Sequence, residues 1–219
     1  MSYTDRVFSL LDGWRHLPSY QLERRADVFF AAYLPEIARQ FLNLEPRPII
    51  PEFPVRLGAV DRKVAGNRSF KIDYLVKAKC GSRVVFVELK TDMKSRREQQ
   101  DIYLSQARQK GMVALLEGLE LIYDATRQRA KYQALFEQLS QAGFLRSPIS
   151  HRLDIIRREY KIEIAYIQPE QDDSPGATVI TFGEIARLVG RKRDALSQRF
   201  AASLETWAEV EAGRGIRAA

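Results

Sequence analysis

The chain of 219 residues contains one cysteine and two histidines. A single cysteine excludes an internal disulfide and agrees with a reducing compartment. With only His16 and His151, zinc lacks its usual ligands and histidine-based hydrolysis is poorly served. No run of about twenty apolar residues occurs, so a helical membrane span is not expected. The amino terminus is polar and acidic where a secretory signal would be apolar, which leads to the expectation of a cytoplasmic protein without a membrane partner. The sequence also lacks a GxxxxGK[ST] phosphate loop, an HExxH helix, a CxxC pair and a GxSxG elbow, and it has no internal repeat.

What is present is an ordinary globular chain with an excess of positive charge. The apolar share of 45% fits a packed core, and the length fits one substantial domain. A formal charge of +7 favours a polyanionic partner, nucleic acid ahead of a membrane surface. A homo-oligomer is compatible with this composition.

The densest chemical pattern lies in two β-rich runs, Phe70-Lys71-Ile72-Asp73-Tyr74-Leu75-Val76 and Val84-Val85-Phe86-Val87-Glu88-Leu89-Lys90, separated by a turn. Side chains two apart on a strand share a face, so Glu88 and Lys90 point together while Val85, Val87 and Leu89 point to the other side. If the hairpin folds symmetrically about Cys80-Gly81, Asp73 and Glu88 fall opposite each other, with Cβ atoms roughly 5 Å apart. Like charges so placed are destabilising unless a cation sits between them, and a hard divalent ion with oxygen ligands resolves the conflict. The plain alternative is a solvated hairpin face carrying a Lys–Glu cross-strand pair.

The surrounding elements are read from periodicity. At about 100° per residue, Leu22, Ala26, Phe29, Phe30, Tyr33, Ile37 and Leu44 share one arc of a helix predicted over residues 18–44, with Pro35 as the place for a bend. Glu23 projects inside this arc and Asp27 lies at its edge. A carboxylate on a buried stripe is costly unless paired or metal-bound, so Glu23 is either a third acid of the site or a rim glutamate paired with an arginine. Residues 49–57 read as an edge strand, where proline is tolerated. Beyond Lys90, Ser95-Arg96-Arg97-Glu98 matches a capping box opening a helix that runs towards Lys110. Its amino end, with Lys94, Arg96 and Arg97, suits a phosphate. Residues 112–144 read as one or two further helices, 160–167 as a strand, 168–176 as a polar loop and 178–182 as a short strand. Helical segments follow, with a frayed tail over 213–219.

A helix with an acid, three strands carrying Asp73 and then Glu88-Leu89-Lys90, a helix and a later strand: this order resembles the PD-(D/E)XK nuclease superfamily, with Ile72 where the family name has proline. Gln99 and Tyr103, four apart on the following helix, look like the QxxxY element of its RecB-type and lambda-exonuclease-type members. The resemblance covers about residues 18–110 and the strand at 160–167. It implies an α/β fold with a restriction-endonuclease-like αβββαβ core and a mixed central sheet flanked by helices. Residues 1–212 would then form one domain, with 112–159 as a helical insertion and 178–212 as a C-terminal helical region. It further implies that Asp73, Glu88 and the Leu89 carbonyl hold Mg²⁺ or Mn²⁺, with Glu23 or Asp27 as the helix acid. Lys90 would position and help deprotonate the attacking water, Gln99 and Tyr103 would support the site or the phosphate, and nucleic acid, DNA ahead of RNA, would be the substrate.

A second pattern runs from Phe182 to Phe200. Ala186, Gly190 and Leu196 match the spacing of a helix-turn-helix, which would aim Arg191, Lys192, Arg193 and Arg199 at phosphates. Its competitor is an ordinary pair of core-packed helices. The alternative function is accordingly a non-catalytic nucleic-acid-binding protein on a nuclease-like scaffold.

Overall fold

The structure, a computed structural model, describes residues 1–79, 81–93, 98–147 and 152–215. Twelve elements follow one another: α1 (Tyr3–Trp14), α2 (Leu22–Leu42), β1 (Ile50–Arg56), α3 (Leu57–Val60), β2 (Ser69–Lys77), β3 (Arg83–Leu89), α4 (Glu98–Ala125), α5 (Arg129–Gln141), β4 (Lys161–Gln168), β5 (Ala177–Thr181), α6 (Phe182–Val189) and α7 (Ala195–Gly215). The strands form one sheet in the order β1-β2-β3-β4-β5. Strands β1, β2 and β3 pair antiparallel. Between β3 and β4, Lys161 N–H donates to Ser82 O and Lys90 N–H to Ile167 O, so both strands advance together and the pairing is parallel. The sheet is therefore mixed, and the class is α/β, as expected.

The chain divides into two units, Met1–Asn43 with Leu89–Arg96 and Tyr166–Ala219, and Leu44–Glu88 with Arg97–Ala165. The first unit is built on helices whose ends are written in the sequence. Ser2 and Asp5 cap each other's backbone N–H at the start of α1, a helix that the sequence reading treats only as a polar terminus. Helix α2 stops where Asn43 enters the left-handed region at φ 47°. Thr181 and Glu184 form a second capping box at α6, and Asp194 caps α7 by accepting from Ser197 N–H and Oγ–H. Helix α7 continues to Gly215, past the point where a tail is expected.

Aromatic rings fill the core of this unit. Phe8 meets Phe29 at 4.6 Å, Phe200 meets Phe30 at 5.2 Å and Tyr33 at 5.5 Å, and Trp207 is fully buried. Asp12 satisfies the buried end of this cluster: one oxygen accepts from the Trp207 indole at 2.8 Å and the other from Arg199 at 2.5 Å.

In the second unit β1 is the edge strand and carries Pro51 and Pro54, as expected. Helix α4 is broken at Gly111, whose φ of 81° and ψ of 158° no helix contains, so the segment after Lys110 is a separate helical rod. Gly118 on that rod faces the Cβ of Ala59 so closely that a methyl there would sit 3.0 Å away, which permits the approach of α3.

Lys77 ties the end of α5 to the sheet. It is 5% exposed, its Nζ donates to the carbonyls of Ala142 at 3.0 Å and Gly143 at 3.2 Å, and it lies over the rings of Phe144 and Tyr160. Burial, and then the neighbouring charges of Arg47 and Arg158, push its pKa below the usual 10.5. Between the depressed folded value and 10.5 the unfolded chain binds the extra proton, so this group adds stability as pH rises through that window. Urea unfolding should accordingly show the wild type gaining stability relative to Lys77→Met as the pH rises towards 10.5. A constant difference over that range would show that Lys77 titrates alike in both states.

Candidate functional site

The register of β2 with β3 pairs Tyr74 with Val87, Leu75 with Phe86, Val76 with Val85 and Lys77 with Val84. The pairing ends at Tyr74 and Val87, and the same register continued by one step would set Asp73 against Glu88, the arrangement that symmetry about Cys80-Gly81 demands. Cys80 lies outside the described residues. The turn is closed by Ala78 N–H on Arg83 O at 3.0 Å, and Gly81 supplies a φ of 85°.

The expected division of β3 into a polar and an apolar face gives way to burial on both. Every residue from Val84 to Lys90 is buried, so Glu88 is a carboxylate inside the protein and not part of a solvated hairpin surface. Asp73 is half-buried.

Helix α4 supplies a donor to this carboxylate. Gln100 Nε2 donates to Glu88 Oε2 at 2.5 Å, while its neighbour Gln99 lies exposed. Tyr103, three residues beyond Gln100 and so on the same side of the helix, is half-buried and stacks on Phe70 with centroids 5.5 Å apart. The glutamine that reaches Glu88 thus stands one position after the one singled out by the spacing. A shift of one residue turns a helical side chain by about 100°, which sequence spacing alone does not resolve.

The same antiparallel arithmetic adds a third carboxylate to the row. The pairs Pro51 with Tyr74 and Phe53 with Ile72 leave Glu52 opposite Asp73 on the side away from Glu88. Glu52 departs from the ladder there, at a φ of 52°, and its carboxylate is bonded by Lys71. The like charge is drawn off by a lysine two residues from Asp73. In the sequence its only signal is the acid between two prolines, Pro51-Glu52-Phe53-Pro54.

Lys90 belongs to the other unit, joined to Glu88 through Leu89. It is 5% exposed, and its N–H on Ile167 O fixes its place opposite Gln168 in the parallel ladder, so both side chains leave the same face. Gln168 has no exposed surface. Its Nε2 donates to Glu170 O at 2.8 Å, and its Oε1 is buried with no hydrogen-bond partner among the described residues. Gln168 was not legible beforehand because the strand–loop boundary was read at that very residue.

Of the helix acids, Glu23 is half-buried and Asp27 is exposed, with its carboxylate on the N–H of Val28 at 2.6 Å. Among the described residues no three His, Cys, Asp or Glu side chains gather closely enough to share a metal. Lys94, Arg96 and Arg97, with the capping box at Ser95, lie outside the described residues. Arg191 and Arg193 are exposed, whereas Lys192 is bonded to Glu36 at 2.8 Å, a contact that raises its pKa above the ordinary lysine value.

No family model, no curated protein and no solved structure matches the chain. The geometry itself makes a separable statement about the two adjacent glutamines. Loss of a hydrogen bond to a buried charged group costs about 1.5–3 kcal/mol, so Gln100→Ala should lower the urea unfolding free energy by that amount. Gln99→Ala, on the exposed side, should stay within about 0.5 kcal/mol of wild type. Equal effects of the two substitutions would contradict the assignment of Gln100.

Proposed function

We propose that this chain is a Mg²⁺- or Mn²⁺-dependent nuclease with a restriction-endonuclease-like core that hydrolyses phosphodiester bonds of DNA. The observation that carries the reading is the β2–β3 register, which if continued by one step brings Asp73 to the level of a fully buried Glu88, with a buried lysine two residues on. The run α2-β1-β2-β3-α4-β4 supports it by supplying a helix, three strands, a helix and a strand in that order.

The donor set fits a hard ion. Asp73, Glu88 and the Leu89 carbonyl offer only oxygen, and Mg²⁺ is held through one or two carboxylates with water and phosphate completing its shell. When bound, such an ion supplies a polarised phosphate and an activated water. The protein's own groups do the rest. Gln100 fixes the orientation of the Glu88 carboxylate, and the Tyr103–Phe70 stack holds the first turns of α4 on β2. Lys90 would place its ammonium where the phosphorus centre becomes more anionic, and its backbone N–H on Ile167 O holds the residue in the parallel ladder.

Incubating the purified full chain with plasmid and linear duplex DNA tests the reading. Cleavage should require Mg²⁺ or Mn²⁺, stop with EDTA and return when metal is restored. Asp73→Asn, Glu88→Gln and Lys90→Ala should each reduce the rate by about 10²-fold or more. Gln100→Ala should reduce it by about 10- to 100-fold, as expected of a group acting through another residue. Unimpaired cutting by Glu88→Gln would overturn the assignment. DNA binding without cutting of any DNA or RNA form would leave a non-catalytic binder on the same scaffold.

A further inference from the structure

The first unit contains a second cationic feature, remote in sequence from Asp73 and Glu88, at the corner between α6 and α7. Five cations lie between residues 187 and 199, and the structure sorts them. Lys192 is bonded to Glu36, and Arg199 is bonded to Asp12 and to Ser203 Oγ. Arg187, Arg191 and Arg193 are exposed and make no hydrogen bond or ion pair with any described residue. Arg187 and Arg191 line a shallow groove with Gln40 and Phe41 of α2, Leu188 and Glu184. The one acid in that groove is already occupied, because Glu184 Oε2 accepts from Thr181 N–H at 2.8 Å and from Thr181 Oγ–H at 2.9 Å in the capping box.

The groove therefore presents two guanidinium groups four residues apart, and its one lining carboxylate has Oε2 committed to the capping box of α6. Arginine's planar fork matches a phosphate through paired N–H bonds and stays charged at any physiological pH. Base reading by the same corner is disfavoured by what its polar side chains already do. Gln198 Nε2 is held by the carbonyls of Gly190 and Lys192, which fixes the turn, and Arg199 points to Asp12. Ala195 and Leu196, exposed in the first turn of α7, have no side-chain donor or acceptor for a base edge. Single-strand binders use exposed aromatic platforms, and Phe41, the aromatic residue in the groove, is half-buried.

We propose that Arg187, Arg191 and Arg193 form a docking site for the sugar–phosphate backbone of duplex DNA that is indifferent to sequence. This extends the nucleic-acid partner of the proposed nuclease to a second surface, and its test does not depend on cleavage. Fluorescence anisotropy of the full chain in EDTA, with duplexes of unrelated sequence over a salt series, should give similar affinities for each duplex. The triple substitution Arg187→Gln, Arg191→Gln, Arg193→Gln should weaken binding at least about tenfold and lower the slope of log K against log salt by about 2 to 3, with an unchanged melting curve. A charge-matched control, Arg62→Gln, Lys63→Gln, Arg68→Gln, should leave affinity within about twofold. Unchanged affinity and slope in the first triple variant would overturn the proposal. So would an equal loss in the control, no binding by the wild type, or preference for single strands. Binding that depends on the three arginines without any Mg²⁺-dependent cutting would sink the nuclease reading and leave this one standing.

Discussion

The hairpin register between β2 and β3 is the constraint on which the rest depends. Continued one step past Tyr74 and Val87 it would oppose Asp73 and Glu88, and β3 is buried on both faces, so the second of these acids has no access to water. Burying a carboxylate costs several kcal/mol unless other groups compensate. Gln100 is one such group, and its bond to Glu88 holds the first turn of α4 at the level of that carboxylate. A slip of one residue in the register would send every side chain of β3 to the opposite face and separate the two acids. Turn, strand pairing and helix placement are thus consequences of one alignment.

This alignment was legible in the sequence because hairpins with β-branched flanks and a glycine turn leave few registers open. The edge position of β1 followed from its prolines, and α2 and β4 from their periodicity. Other features were not legible, for particular reasons. Burial of β3 on both faces depends on what covers the sheet, which a local pattern of Val and Phe does not encode. Gln100 and Gln99 differ by one helical step that only coordinates resolve. Glu52 joins the row of acids only through the β1 register, and Gln168 enters only through parallel pairing with a segment some eighty residues away in sequence. Helix α1, by contrast, is signalled by the capping pair Ser2 and Asp5, which the polarity of the terminus alone does not reveal.

The helical first unit shows how charge can be abundant without being available. Its arginines and lysines divide between those consumed by the fold and those left facing water. Asp12 absorbs Arg199 while accepting from the Trp207 indole, and Glu36 absorbs Lys192. A count of basic residues between 187 and 199 would rank all five alike. Pairing separates structural cations from the three whose loss the fold would tolerate.

The prolines of β1 carry one more implication. An exposed sheet margin is a template for another chain only where it presents amide hydrogens, and Pro51 and Pro54, three residues apart and so of opposite orientation, remove one from the margin and one from the side facing β2. Glu52, twisted out of the ladder between them, breaks the margin further. The outermost strand is thereby guarded against accretion of neighbouring molecules, a protection the protein needs most in the interval before its carboxyl-terminal strands have emerged and joined the sheet.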